Sequence, residues 1–179
     1  MGASYDDSYS LAGYNGAYGE TTSHEVPKIT EKHSLMCFQS KKEAPTKPSS
    51  FGVVAIIRQA ESFLAIRRGE SLRAGGMVCF PGGHVEPGEH SSEAVVRECH
   101  EELSVDVVPI NEVWESVTAW GTALSWWTVD LVQPCCPIPH PIEVQEFFWL
   151  SLDDMITHPD LLPGNQIFLE HVKSGNIQL

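Results

Sequence analysis

Six glutamates crowd into the 23 residues Gly83-His-Val-Glu-Pro-Gly-Glu89-His-Ser-Ser-Glu-Ala-Val-Val-Arg97-Glu98-Cys99-His-Glu101-Glu102-Leu-Ser104-Val105, and residues 91 to 103 carry the apolar period of a helix. At about 100° per residue, Val95, Val96, Cys99 and Leu103 share one arc, which reads as a buried face, while Glu98, Glu101 and Glu102 share another. The i, i+3, i+4 spacing stacks three carboxylates on little more than one turn. A run of acids on a helix is usually a solvated face. Here the local rules oppose it: like charges at i, i+4 cost roughly 0.2–0.5 kcal/mol, and all three acids lie in the half of the helix where the macrodipole favours cations. A segment that breaks local preference in this way is building a site. Hard oxygen donors on one rigid face suit Mg²⁺ or Mn²⁺, and the cation removes the repulsion.

Charge elsewhere narrows the partners. The 179-residue chain has a net charge of −13, and residues 1 to 50 contribute almost none of it, because six acids there meet five lysines. The remainder holds 18 acids against 6 bases, a balance of −12. Such a surface repels nucleic-acid backbones, which are bound through Lys and Arg. A small phosphorylated ligand stays compatible if divalent cations supply positive charge. No stretch reaches the roughly 18 to 20 consecutive apolar residues that span a bilayer, and no signal-peptide core opens the chain. The expectation is a soluble, cytoplasmic protein without a membrane partner. Five cysteines (Cys37, Cys79, Cys99, Cys135, Cys136) with no Cys-x-x-Cys pair read as reduced thiols.

The chain divides near Ser50. Residues 1 to 50, rich in Ser, Gly, Tyr, Lys and Pro and lacking a period of 2 or 3.6, read as a disordered or loosely docked tail, and residues 51 to 179 as one domain. Gly52 to Ile57 and Phe63 to Ile66 read as a strand hairpin, and Met77 to Phe80 as a short strand closed by Pro81-Gly82-Gly83. Further strands are expected over Val105 to Val117, Thr122 to Gln133 and Phe147 to Leu150. Two helices are expected over Ser151 to Ile156 and Pro163 to Lys173. Interleaved strands and helices give an α/β (α+β) class, with a mixed sheet covered by helices on its faces. The Gly82-Gly83 turn lets backbone approach a metal or a phosphate where a side chain would obstruct it.

The segment closely resembles the Nudix box, G-x5-E-x7-R-E-U-x-E-E-x-G-U, with U an apolar residue. Gly83, Glu89, Arg97, Glu98, Glu101 and Glu102 match in register, Cys99 stands at an apolar position, and Val105 closes the pattern. Only Ser104 departs, where the family's glycine ends the helix in a left-handed cap; a serine there costs roughly 1 kcal/mol or changes the exit.

The resemblance implies a Nudix-type α/β/α sandwich and hydrolysis of a nucleoside diphosphate linked to another group. It implies one to three divalent ions, Mg²⁺ or Mn²⁺, on Glu98, Glu101 and Glu102, with the Gly82 carbonyl a further ligand. Gly83, Glu89 and Arg97 would support the site, Arg97 pairing with Glu101 at i+4 or with Glu89. The catalytic base would come from the helix, as Glu102, or from the loop His140 to Glu146, where Glu143 resembles the family's loop acid and Glu146 is the second choice. Leu161-Leu162-Pro163-Gly164-Asn165 resembles the Pro-x-Asn segment of the MutT-like branch, in which Asn reads a purine edge. A helix N-cap is the competing role for Asn165. Trp120, Trp126 and Trp127 are the aromatic residues available to stack a base, although aromatic residues in strands are usually core, and adjacent Trp126 and Trp127 must face opposite sides of a sheet. The preferred substrate is a purine nucleoside triphosphate, oxidised or not, giving a nucleoside monophosphate and pyrophosphate. ADP-ribose, a sugar nucleotide or a dinucleoside polyphosphate is the alternative, and a non-catalytic nucleotide-sensing module the distant third. Monomer and homodimer are both compatible with the sequence.

Overall fold

Val53 to Ile57 are all buried, so the first strand must be covered on both faces, and its alternation shows by what. In this computed structural model, which describes residues 48–134 and 136–179, β1 spans Ser50–Gln59. Val53, Ala55 and Ile57 pack with Ala94, Val95, Cys99 and Leu103 of α1 (Ser91–Leu103). Val54 and Ile56 pack on the opposite side with Met155 of α2 (Leu152–Ile156) and Phe168 and Leu169 of α3 (Pro163–Lys173). The result is the expected α/β/α sandwich with two cores separated by a mixed sheet. The expected tail lies outside the described residues as far as Lys47, as do Cys37 and Cys135, and no described helix is long and apolar enough to cross a membrane.

The remaining strands are β2 (Ser62–Arg68), β3 (Val78–Cys79), β4 (Val107–Val117), β5 (Thr122–Leu131) and β6 (Val144–Ser151). β1 runs parallel to β5, and β4 pairs antiparallel with β5 as the outer strand. On its other edge β1 is met by residues 81 to 85: Ala55 N–H donates to Pro81 O (2.8 Å), and Val53 N–H to Gly83 O (2.9 Å). β2 carries β3 on one side and β6 on the other. The expected boundaries shift where pairing decides them. β3 shrinks to two residues because its register with β2 covers only Ile66 and Arg67, while Val78 makes a single bridge to Leu161 on the other side. β6 begins at Val144 rather than Phe147 because its register with β2 continues to Arg68 across a bulge. The strand expected from Val105 starts at Val107, and the one expected to Gln133 stops at Leu131.

Helix α1 keeps its expected bounds, and both ends explain why. His90 and Glu93 form a capping box at the N-terminus. At the C-terminus Ser104 adopts φ 54°, ψ 36°, so the left-handed exit is retained without glycine, and its N–H donates to His100 O (2.9 Å). The strain is small and local. Ser104→Gly is expected to raise stability by about 0.5 kcal/mol and the melting midpoint by roughly 1–2 °C, a balance of relieved strain against a freer unfolded chain. Differential scanning calorimetry of the two proteins checks it, and a lower midpoint would show that the Ser104 side chain contributes more than its backbone costs.

Candidate active site

The three helix glutamates are not equivalent in three dimensions. Glu98 and Glu102, four residues apart, lie under the Gly82–Gly83 turn with 9% and 4% of their surface exposed, whereas Glu101 stands at the rim. Glycine is required at both turn positions. Gly82 has φ +145°, and a Cβ there would run into the Val53 carbonyl; a Cβ at Gly83 would occupy the space of the Glu98 carboxylate. The Gly82 N–H donates to Glu102 Oε2 (2.9 Å). The flanking carbonyls of Pro81 and Gly83 serve β1, and among the described residues the Gly82 carbonyl takes no hydrogen bond. The turn therefore fixes Glu102 through an amide and keeps one carbonyl oxygen in reserve.

Arg97 pairs with both partners named from the sequence, and with a third. Its Nε and Nη2 donate to the two oxygens of Glu89 (2.9 Å each), and Nη1 donates to Glu98 Oε1 (2.9 Å) and Glu101 Oε2 (3.0 Å). Nη2 also donates to His84 O (2.8 Å), tying the preceding loop to the helix. This fork holds Glu89 below the usual carboxylate range. Glu98 is raised by burial, with the neighbouring guanidinium offsetting part of it and Glu101 and Glu143 adding repulsion. Glu102 is pushed up to about 8, chiefly by burial; the Gly82 amide and Arg68 oppose the shift, and Glu98 and Glu143 reinforce it.

Among the described residues no three His, Cys, Asp or Glu side chains stand close enough to hold an ion as they are placed. The donor set nevertheless fits a hard divalent cation. Two buried carboxylates repel each other, Glu98 and Glu101 are neutralised only by Arg97, and Glu102 has a single amide. Arg97 Nη1 takes one oxygen from each of Glu98 and Glu101, so the second oxygen of each carboxylate would be left to hold a cation while Arg97 fixes its position.

The two loop acids separate clearly. Glu143 lies near enough to add a small repulsion to both Glu98 and Glu102, and its side chain takes no hydrogen bond or ion pair among the described residues. Its loop is brought in by backbone: Gly69 N–H donates to Glu143 O (2.7 Å), and a Cβ at Gly69 would strike the Ile142 carbonyl. Ile138 and His140 N–H donate to the Leu103 and Glu102 carbonyls (2.7 and 2.8 Å), so the same loop closes the end of α1. Glu146 instead pairs with Arg67 (2.7 Å), which also holds Asp160, and this removes it from the helix carboxylates.

Beside the turn lies a cleft of about 600 Å³ bordered by Arg68, Arg73, Phe80, Gly82, Trp120 and Asn165. No acid lines it, and two of the domain's six bases do. A larger groove of about 960 Å³ beyond His84 is lined by Glu86, Glu89 and Glu115 with no Lys or Arg, so it disfavours a polyanion. Asn165 is buried at the third position of α3, not at the N-cap, which is Leu162; its Oδ1 accepts from Phe80 N–H (2.8 Å). That bond leaves Nδ2 unpartnered among the described residues at the cleft.

Trp126 and Trp127 do not border the cleft. Trp126 is fully buried, stacked on Phe168 (4.5 Å, 18°) with its indole N–H donating to Ser116 Oγ (2.9 Å), and Trp127 packs on the α1 side of the sheet. Neither stands where a base bound in this cleft would stack, against the expectation for both: Trp126 fills one core, and half-buried Trp127 packs against the other. Arg68 and Arg73 carry no motif in the sequence. The one signal was the Arg67-Arg68 pair at a strand end, where alternation must send the two side chains to opposite faces. Arg67 goes to Glu146 and Asp160, and Arg68 goes toward Glu102.

Known proteins share this fold. A model of the NUDIX domain matches residues 46–172. Nudix hydrolase 3 of Caenorhabditis elegans is 42% identical over 62 residues, 34% of this chain and 23% of that protein, so the match spans less than a quarter of that curated relative. Among solved structures, the MutT protein from Methanosarcina mazei Go1 is similar with a TM-score of 0.64 at 27% identity, over 73% of this chain and 97% of that one. The E. coli ORF135 protein is similar with a TM-score of 0.58 at 26% identity, over 71% and 90% of the two chains. A domain match that covers most of the described residues, on a fold shared with the MutT protein, places this chain in the NUDIX family.

Proposed function

We propose that this chain is a divalent-cation-dependent hydrolase of a nucleoside diphosphate linked to another group, with a purine nucleoside triphosphate, oxidised or not, as its substrate class. The observation that carries this reading is the contrast across the Gly82–Gly83 turn: buried carboxylates on one side, and on the other an acid-free cleft bearing Arg68 and Arg73. In a domain this acidic, an acid-free cleft with two arginines is a surface hospitable to a polyphosphate. The two arginines draw the phosphates in and orient them. Glu98, Glu101 and Glu102 hold the cation or cations, with the Gly82 carbonyl as a further donor, and Arg97 and Glu89 keep the helix glutamates in place. Mg²⁺ or Mn²⁺ held there would supply positive charge to the pyrophosphate oxygens and lower the pKa of a water that attacks phosphorus in line. Glu143, which lies near Glu98 and Glu102 without pairing with Arg97, takes the proton. Asn165 Nδ2 donates to an acceptor on the purine edge.

A nucleotide panel tests this directly. Incubated with Mg²⁺, the protein is expected to convert a purine nucleoside triphosphate to the monophosphate and pyrophosphate, identified by mass, and chelator is expected to abolish turnover. Release of AMP and ribose 5-phosphate from ADP-ribose, with triphosphates untouched, would replace the triphosphate reading. No turnover of any nucleotide would overturn the enzyme.

A further inference from the structure

Trp120 is 56% exposed, yet it is not on a loose segment. It sits in the β4–β5 turn, closed by Gly121 N–H to Thr118 O (2.9 Å) and Thr122 N–H to Thr118 Oγ1 (3.1 Å), and anchored from outside by Ser49 N–H to Gly121 O (2.9 Å). Gly121, with φ +83°, makes the turn possible. A large apolar ring is thus held rigidly at the mouth of the arginine-lined cleft. Its partner across the mouth is Arg73, whose guanidinium lies 5.3 Å from the ring centre. Arg73 forms no ion pair among the described residues, although acids outnumber bases threefold in this domain.

We propose that Trp120, with Arg73 as the movable cover over its ring, is the platform on which the substrate's base stacks, and therefore the residue that makes this cleft select nucleotides over other phosphate esters. The proposal deepens the nucleotide reading of the same cleft and rests on it. The chemistry is complementary at each point. The indole face takes the π-face of a heteroaromatic ring, whatever its identity. Asn165 Nδ2, at the same cleft, takes an acceptor on the ring edge. Arg73 is a mobile cation with no carboxylate to leave behind, so an arriving base displaces it from the ring without breaking an ion pair, and it remains near the phosphates. Trp126 and Trp127 are committed to packing, which leaves Trp120 as the tryptophan that lines this cleft.

Calorimetric titration of the full chain with guanosine 5′-monophosphate and with ribose 5-phosphate separates base from sugar phosphate. The wild-type protein is expected to bind the nucleotide about tenfold more tightly than the sugar phosphate. Trp120→Ala is expected to remove most of that preference while leaving ribose 5-phosphate affinity and the melting midpoint unchanged, and Trp120→Phe to keep most of it. An unchanged preference in Trp120→Ala, an equal loss for both ligands, or no preference in the wild type would overturn the platform. The hydrolysis panel distinguishes the two readings. Turnover of nucleotides with an unaltered KM in Trp120→Ala would sink the platform and spare the enzyme; base-dependent binding through Trp120 without turnover would do the reverse.

Discussion

Glu102→Gln is expected to lower kcat on the preferred nucleotide by roughly 10³-fold while leaving KM within a few-fold of wild type. Of Glu98, Glu101 and Glu102, Glu102 is the most buried and the one that Arg97 does not touch. The substitution keeps shape and preserves the contact with the turn, since a glutamine oxygen accepts from the Gly82 amide as the carboxylate does. It leaves the Arg97 fork intact and the cleft arginines in place, so substrate capture survives. What disappears is the anionic charge that draws a cation to the inner end of the site. Glu98→Gln is a less clean experiment, because it also removes an acceptor from Arg97. Steady-state kinetics at saturating Mg²⁺ measure the effect, and a variant retaining more than a tenth of wild-type kcat would show that Glu102 is not the inner ligand. Glu143→Gln is expected to lower kcat too, with the loss shrinking as pH rises if a base outside the helix is what it removes.

How much of this was legible in sequence follows from how local each feature is. The helix 91–103 could be read to the residue because its signals sit within the segment: the apolar arc and the Arg97–Glu98–Glu101 spacing. The α/β/α layering was legible in the continuous apolar run of β1, which only two covering layers can bury. Features made by distant pairing were not. Asn165 reaches Phe80 across 85 residues, so its competing role as a helix cap could not be dismissed from the chain alone. Trp126 and Trp127 were correctly assigned to opposite faces, but the layer covering each face is set by α1 and α3, and these fill both sides. Glu143 and Glu146 stand three residues apart with the same chemistry. The hydrogen bond from Gly69 places the first beside Glu98 and Glu102, and the β2–β6 register opposes the second to Arg67. The shared helix face of Glu98, Glu101 and Glu102 concealed an unequal burial that the overlying glycine turn creates.

That unequal burial makes the metal-free protein sensitive to pH in an unusual direction. Glu102 ionises near pH 8 in the folded state against about 4.5 when exposed, and Glu98 is shifted the same way. Between those values the folded chain holds a proton that the unfolded chain has released, so stability falls as pH rises. The stability is fully present below the unfolded value and lost as pH climbs through the folded one. Glu102 alone, almost wholly buried, is worth on the order of 3–5 kcal/mol across that window, or about 10 °C in the melting midpoint. A divalent cation binds the ionised carboxylates and so reverses the trend, stabilising most where the metal-free protein is weakest. Melting curves from pH 5.5 to 8.5 in chelator are expected to slope downward. The slope is expected to flatten or invert with millimolar Mg²⁺, and to flatten in Glu102→Gln without metal, whose neutral amide has no proton to lose. A metal-free midpoint that is level or rising over this range, or a slope that persists unchanged in Glu102→Gln, would mean that the Glu102 carboxylate is already compensated in the folded protein. Burial of Glu102 would then create no need for a cation, even if the enzyme were active.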